Sequence, residues 1–266
     1  MARRKSSEPE ARERLSRERV LRAAIALADR DGIDALSMRR LAEELGVEAM
    51  SLYYYVENKD DILAGMLELV MSELDLPAIG EGGLDWKAAL RRGAISFHDA
   101  LRAHPWARGL MLSPKMLRAW RMRLMEFLLG GLRRGGLSPE LTYHAYHALD
   151  SHLIGSTAWE AGYASFARGQ DAADLAQRFL KQLPQAELPY VTEHIRQHME
   201  GFGRGKSQFQ FGLDLILSGL ERLRDEEHHR AGQAPNGAPA GARNRAVLRN
   251  RTKVLTAKSR SERITR

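Results

Sequence analysis

One stretch of the chain carries most of the chemistry that its residue types and spacing suggest. It runs from residue 37 to residue 59 and reads SMRRLAEELGVEAMSLYYYVENK. Apolar residues recur at helical spacing on both sides of a glycine at position 46. Two helices joined by a short glycine-containing turn form a helix-turn-helix, whose second helix lies in the major groove of DNA. The stretch therefore predicts non-covalent recognition of nucleic acid.

The turn and the helix starts in this stretch have suitable residue types. Gly46 can adopt a positive φ without strain from a Cβ atom. Ser37 is predicted to cap the first helix, and Asn58 the helix that follows the motif. On this pattern alone, an ordinary pair of helices with a tyrosine-rich second member remains an alternative. The apolar positions that define the two helices are Leu41, Ala42, Leu45, Met50, Leu52, Tyr53 and Val56.

The full string resembles the DNA-binding signature of the tetracycline-repressor (TetR) family. That signature is a Leu-Gly-Val turn, then Leu-Tyr, then a Val or Phe, and a Lys. The corresponding residues here are Leu45, Gly46, Val47, Leu52, Tyr53, Val56 and Lys59. The segment QFQFGLDLILSGLERL, residues 208–223, is also similar to the final helix of the tetracycline repressor's regulatory domain. The resemblance covers about residues 17–227.

These features predict an all-α chain in four parts. A flexible basic arm (1–15) is followed by a three-helix, helix-turn-helix DNA-binding domain (16–75). Pro77 and the GEGG run at 80–83 mark the boundary to a larger helical ligand-binding and dimerisation domain (76–227). Its helices are expected at about 85–102, 115–134, 139–163, 172–182, 189–200 and 207–227. Residues 228–266, rich in Gly, Ala, Pro and Arg, are expected to be a disordered basic tail.

The composition restricts the class of protein. The chain has no cysteine, so it has no disulfide, thiolate metal site or cysteine nucleophile. It has neither an apolar run of the roughly 20 residues that span a membrane nor a signal-peptide pattern, so a cytoplasmic protein without membrane association is expected. The net charge of +7 is uneven. Residues 1–22 carry +4 and residues 228–266 carry +9, which leaves −6 between them, so nucleic-acid contact should be local.

The family resemblance implies a set of DNA-contacting positions around the two short helices. Arg39 can bind guanine or a phosphate through its fork of donors. The hydroxyls of Tyr53 and Tyr54 can donate to phosphates, and Lys59 can act as a point charge on a phosphate. Leu52 and Val56 are expected to be core. The carried-over positions are Ser37, Arg39, Ala49, Met50, Ser51, Tyr53, Tyr54, Tyr55 and Lys59.

One departure from a similar repressor of the family affects the expected operator. That repressor has amide and hydroxyl groups early in its recognition helix, where this chain has the apolar Ala49 and Met50. Contacts to thymine methyl groups remain available there, while hydrogen-bond readout is largely lost. The operator sequence should therefore differ, although a dimer should still bind a near-palindrome with half-sites about one helical turn apart.

The resemblance also implies a homodimer and a ligand cavity in the second domain. The final helix is apolar around much of its girth, so it must bury a second face, as a dimer interface with a helix at about 139–163 would allow. Residues that could line the cavity are Phe97, Trp106, Met111, Met116, Trp120, His147 and Trp159, with His98, His104, Asp150 and His152 as further polar groups; most of these types at helical spacing also suit a plain core.

No cofactor or metal ion is expected. The stretches MSELDLPAI and ARGLMLSPKM lack the histidines with which the tetracycline repressor binds its magnesium–drug chelate, so tetracycline is not the expected effector. His144, His147 and His152 share one predicted helix but do not converge on one face.

The resulting hypothesis is a homodimeric transcriptional repressor that a small hydrophobic effector releases from a palindromic operator. An activator or a ligand-independent regulator of the same family is the main alternative. An enzyme is not expected, because the chain has no phosphate-cradling loop and no nucleophile elbow. A nonspecific nucleic-acid chaperone that uses its basic tail is a further alternative, and deletion of residues 228–266 would distinguish it.

Overall fold

The computed structural model of the chain describes residues 14–111, 119–166, 172–200 and 207–233. This part is helical and contains no strand, so the predicted all-α class is confirmed. Residues 1–221 form one compact unit and residues 222–266 a second, of which only 222–233 are described. Most of the predicted arm and tail lie outside the described residues.

The first four α-helices occupy the region of the predicted DNA-binding domain. They are α1 (Arg17–Asp31), α2 (Met38–Leu45), α3 (Ala49–Leu52) and α4 (Lys59–Ser72), with a 3₁₀ turn at Ile33–Ala35 between α1 and α2. The predicted caps are confirmed. The Ser37 hydroxyl accepts a hydrogen bond from the backbone N–H of Arg40 (3.2 Å), and the Asn58 side chain accepts one from Asp61 N–H (2.9 Å).

Seven further α-helices lie in the described residues after the predicted boundary. The helices are α5 (Trp86–Ala103), α6 (Ala107–Met111), α7 (Ala119–Arg134), α8 (Pro139–Phe166), α9 (Ala172–Gln182), α10 (Pro189–Glu200) and α11 (Gln208–Gly232). The short α6 was not predicted. Helix α11 continues to Gly232, beyond the end expected at about residue 227.

A continuous apolar core joins helices α1–α8 and α11 within residues 14–221. Helices α5, α7 and α8 contribute large buried side chains, and the first half of α11 packs against them through residues that recur every four positions. These α11 residues are Phe209, Leu213 and Leu217. A search for membrane spans over the described residues found no helix both long enough and apolar enough to serve as one.

Candidate nucleic-acid interface

Helices α2 and α3 meet at a tight corner centred on Gly46. This residue has φ 66° and ψ 36°, the left-handed conformation that glycine adopts without steric cost. The next N–H, that of Val47, returns to the carbonyl oxygen of Ala42 at 3.0 Å and closes the end of α2. The predicted turn is therefore present, and it directs the chain into α3 on a new axis.

The apolar side of α3 is buried against the rest of the helix-turn-helix. Leu52 and Val56 are almost fully buried, as predicted, and belong to the same core cluster as Leu41, Leu27 of α1 and Ile62 of α4. Helix α3 is only four residues long, and residues 53–55 form a turn. The recognition segment is therefore shorter than its sequence pattern predicted, and tertiary contacts must hold it.

The opposite side of this segment presents three large side chains to solvent. Met50 is 71% exposed, Tyr54 is 88% exposed and Tyr53 is 48% exposed. An apolar thioether and two phenols without a covering element are unusual on one short surface, and they match the expected contacts to thymine methyls and phosphates. The remaining predicted residues of the segment, Ala49, Ser51 and Tyr55, are half-buried.

The flanking polar positions lie at helix starts. The exposed Ser37 caps α2, and Lys59 is the exposed first residue of α4, without an ion pair to any described residue. Arg39 has an exposed side chain whose guanidinium lies 3.5 Å from the Glu43 carboxylate. A surface pair of this kind is weak, so the guanidinium is available to a DNA phosphate.

An arginine and an aspartate missed by the sequence analysis hold the segment between α3 and α4. One terminal nitrogen of Arg17, Nη1, donates to the carbonyl oxygen of Tyr55 and to Asp61 Oδ2, both at 2.8 Å. The other, Nη2, donates to Asp61 Oδ1 at 2.8 Å. This hydrogen-bonded contact raises the pKa of the Arg17 guanidinium. The two residues lie 44 positions apart, so no local sequence pattern signals the pair.

Two of the polar contacts between the helix-turn-helix region and the residues that follow it involve carboxylates of α1 and α4. The Asp29 carboxylate at the end of α1 accepts hydrogen bonds from Trp106 Nε1 (2.7 Å) and pairs with His104 Nδ1 (2.9 Å). The Glu68 carboxylate of α4 accepts from the backbone N–H of Trp120 (3.3 Å) and from Arg123 (3.1 Å). A movement of α6 or α7 would therefore act directly on α1 or α4.

Buried polar atoms without partners occur in the second region. Trp120 Nε1, Asp150 Oδ1, Thr142 Oγ1 and Arg108 Nε have no hydrogen-bond partner. The other oxygen of Asp150 accepts from Arg121 at 2.7 Å. Burial lowers the pKa of the Arg108 guanidinium, while the charge of Glu160 opposes this effect. Unsatisfied buried groups are rare in folded proteins and mark places where water or a ligand completes the structure.

The residues predicted to line a ligand cavity are not brought together. Phe97 and Trp120 are buried in the core, and Met111 packs partly buried against it. Trp106 is buried too, but its indole N–H is bound to Asp29 of the helix-turn-helix region. Met116 lies outside the described residues.

Two further cavity candidates lie on the exposed side of α8 in this chain. Trp159 is 77% exposed, and His147 is exposed with its ring edge-on to Tyr143 and Tyr146. Both belong to the face of α8 that does not pack on the core of this chain. Within the described residues, no group of three or more His, Cys, Asp or Glu side chains could hold a metal ion.

Two family models match most of the chain. "Bacterial regulatory proteins, tetR family" matches residues 20–66, and "Tetracyclin repressor-like, C-terminal domain" matches residues 76–224. The first match contains α2, α3 and the start of α4. The second match runs from the predicted boundary into α11.

Named relatives and solved structures extend this similarity. The chain is 34% identical over 214 residues to the HTH-type transcriptional repressor DrrR1 of Streptomyces coeruleorubidus, covering 79% of this chain and 78% of that protein. It is 31% identical over 252 residues to the HTH-type transcriptional repressor Rv1353c of Mycobacterium tuberculosis, covering 87% of this chain and 93% of that protein. Its fold is similar to that of the Streptomyces coelicolor TetR family protein ActR in complex with actinorhodin (TM-score 0.61, 27% identity, 80% and 99% covered).

Proposed function

This chain belongs to the TetR family of bacterial DNA-binding regulators, and we propose that it is a homodimeric repressor released from a palindromic operator by a small-molecule effector. The observation that supports DNA binding most directly is an exposed surface formed by Met50, Tyr53, Tyr54 and Lys59. Beneath this surface, Leu52 and Val56 are buried in the core. A segment of this kind, packed on one side and uncovered on the other, fits the major groove.

The homodimer is supported by an uncovered face on α8 and α11. On α8 the exposed positions follow helical spacing and combine aromatic with small residues, from Tyr143 through Gly155 to Trp159. On α11, Phe211 is 57% exposed and Leu215 is 59% exposed. A second copy placed by a two-fold axis would cover both helices with the same surface. Two recognition segments would then read the two halves of a palindrome.

The effector site is proposed in the interior of the second region. Trp120 Nε1 offers a buried donor and Asp150 Oδ1 a buried acceptor, and neither has a hydrogen-bond partner among the described residues. The relative ActR has been solved with actinorhodin bound, which supports a small organic molecule as the effector class for this chain.

The proposed release mechanism uses the contacts between the two regions. Helix α4 is the proposed lever, because its Glu68 carboxylate accepts a hydrogen bond from the backbone N–H of Trp120. An effector that shifts Trp120 would therefore move α4 and Lys59 at its start. A coupling of roughly 1–3 kcal/mol between the sites would change operator affinity by about 5- to 150-fold.

Fluorescence anisotropy on the DNA that flanks the protein's own gene tests this function. We expect tight, salt-dependent binding that one compound from a panel of hydrophobic molecules releases. Tyr54→Phe should weaken the binding because it removes an exposed phenol, whereas Tyr190→Phe, an equally exposed tyrosine on α10, should not. Failure to find any specific site near the gene would contradict the proposal. Tight binding that no compound releases would contradict only the effector response.

A truncation separates the folded interface from the basic tail. Since α11 ends at Gly232, removal of residues 234–266 leaves every described helix intact. Specific binding should survive this truncation and retain most of its affinity. Its complete loss would favour a nonspecific nucleic-acid binder that uses the tail.

A further inference from the structure

The chain between α3 and α4 has few interactions of its own. Helix α3 has only four residues, too few to be stable without support. Beyond it, the N–H groups of Tyr55 and Val56 both bond the carbonyl of Leu52, at 2.9 and 3.1 Å. These bonds close a turn, but they do not fix the direction of the turn relative to α1 and α4. The exposed Tyr53 and Tyr54 lie in this turn.

The contact between Arg17 and Asp61 supplies that missing constraint. Arg17 binds the carbonyl oxygen of Tyr55, while Asp61 Oδ2 accepts the backbone N–H of Glu57 at 3.1 Å. One ion pair thus holds two backbone groups on either side of Val56. The fork of Arg17 is paired in parallel with both carboxylate oxygens of Asp61, the geometry that gives such pairs directional strength.

The packing of α1 on α4 brings the two side chains within reach. A Cβ atom at Gly65 of α4 would lie 2.7 Å from a methyl carbon of Leu21 and 3.4 Å from Arg17 Nη2. The absence of a side chain at Gly65 therefore allows the close approach of α1 and α4 beside the Arg17–Asp61 pair. In this arrangement Arg17 lies at the first residue of α1 and Asp61 in the first turn of α4.

We infer that Arg17 and Asp61 form a clamp that positions Tyr53, Tyr54 and the start of α4 for DNA binding. They act through the backbone of Tyr55 and Glu57 and do not themselves read the DNA. This inference rests on the proposed DNA-binding function. The first residue of α1, which lies outside the helix-turn-helix motif, would then determine part of the operator affinity.

A substitution that removes negative charge gives the sharpest test. In Asp61→Asn the fork to Arg17 is lost, while the protein becomes more positive next to the proposed DNA surface. A simple electrostatic effect would tighten operator binding. Loss of positioning should instead weaken it by about tenfold, the usual scale for losing a charged hydrogen bond. Binding by Asp61→Asn that equals or exceeds wild type would overturn the clamp.

Variants at Arg17 distinguish positioning from direct phosphate contact. Arg17→Lys keeps the charge but replaces two guanidinium nitrogens with one ammonium, so it loses the parallel pairing with both Asp61 oxygens. We expect both Arg17→Lys and Arg17→Gln to weaken binding without changing the slope of log affinity against log salt. A slope reduced by about one in Arg17→Gln would show that Arg17 neutralises a phosphate, and this result would overturn the inference.

A charge swap and a matched control complete the design. The double variant Arg17→Asp with Asp61→Arg can restore the ion pair, but it cannot restore the donation to the Tyr55 carbonyl. Relative to the two single variants, its thermal stability should therefore recover more than its operator affinity. Full recovery of affinity would contradict the role of that carbonyl. Arg22→Gln removes an exposed ion-pairing arginine of α1, bound to Glu18 and Glu73, and should bind like wild type. If wild type and Arg22→Gln both fail to bind, the proposed function fails before the clamp is tested.

Discussion

The two regions of this molecule differ in how completely the chain satisfies its own groups. In the helix-turn-helix region, no buried side-chain nitrogen or oxygen among described residues 14–75 lacks a partner, and helices α1, α2 and α4 each begin at a side-chain cap. In the region that follows, four such atoms on α6, α7 and α8 are unpartnered. Large apolar side chains on α8 and α11 are also uncovered there.

This difference indicates two kinds of interaction. The first region is complete as a packed unit, so its exposed tyrosines and methionine are a finished surface that a nucleic acid can meet. The second region contains buried polar atoms without a hydrogen bond and large apolar side chains exposed to solvent. Both kinds of group cost free energy in this state. A ligand in its interior and a second copy on its face, as proposed above, would satisfy them.

The largest expected effect tests the completeness of the first region. Leu52→Ala leaves a cavity under the recognition segment and should lower the free energy of unfolding by about 2–5 kcal/mol. Urea unfolding measures this loss. The control is Leu188→Ala, an exposed leucine before α10, which should change stability by less than about 0.5 kcal/mol. Equal losses in both variants would mean that the core beneath α3 is not tightly packed.

The next effect tests the uncovered face of the second region. Leu215→Asp places a charge on the exposed apolar side of α11 and should weaken dimerisation by about a hundredfold, as expected at the centre of an interface. Sedimentation velocity over a concentration series measures this change. Val191→Asp on the exposed side of α10 should leave the dimer intact. A wild-type protein that remains monomeric at high concentration would contradict the proposed interface.

A smaller effect is expected where the two regions join. Asp29→Asn weakens the contact to His104 and Trp106 and should reduce effector-driven release by about fivefold, with operator affinity in the absence of effector nearly unchanged. Anisotropy titrations with and without effector measure both quantities. Asp34→Asn, an exposed carboxylate in the adjacent 3₁₀ turn, is the control. Unchanged release in Asp29→Asn would remove this contact from the coupling route.

The smallest effect concerns a surface ion pair. The hydrogen bond from Arg30 holds the pKa of the Glu44 carboxyl below its ordinary value. Stability from this pair is therefore present above the ordinary pKa and is lost as the pH falls through the lowered value. Glu44→Gln should lower the melting temperature by at most about 2 °C at pH 7. At low pH the difference between wild type and variant should vanish, because the protonated Glu44 of the wild type is then as uncharged as the glutamine. Thermal unfolding followed by circular dichroism at several pH values measures the difference.

Local sequence patterns predicted much of the fold, and they failed where a short element depended on its neighbours. The caps at Ser37 and Asn58 and the turn at Gly46 could be predicted because each is decided by residues within one helical turn. The length of α3 could not, because residues 53–55 have a helical pattern but follow the contacts made by Arg17 and Asp61. The short α6 after Pro105 was missed for a similar reason.

The candidate sites divide in the same way. Leu52 and Val56 were predicted as core, while only the family resemblance, and not helical spacing, implied that Met50, Tyr53 and Tyr54 contact DNA. His147 and Trp159 were predicted to face a cavity, but they lie on the outer face of α8. Amphipathic spacing could not decide this, because α8 is apolar on more than one side and several of its faces fit a core equally well.

The amino-acid sequence by itself determined the helix starts, the Gly46 turn and the family, since these depend on residue types at short, fixed spacings. Only the tertiary structure decided that Arg17 meets Asp61, that Asp29 bonds Trp106 and that Trp120 and Asp150 keep unpartnered polar atoms. Each of these pairings joins side chains on different helices or depends on burial by them. No local periodicity encodes such contacts, because they exist only after the helices have packed.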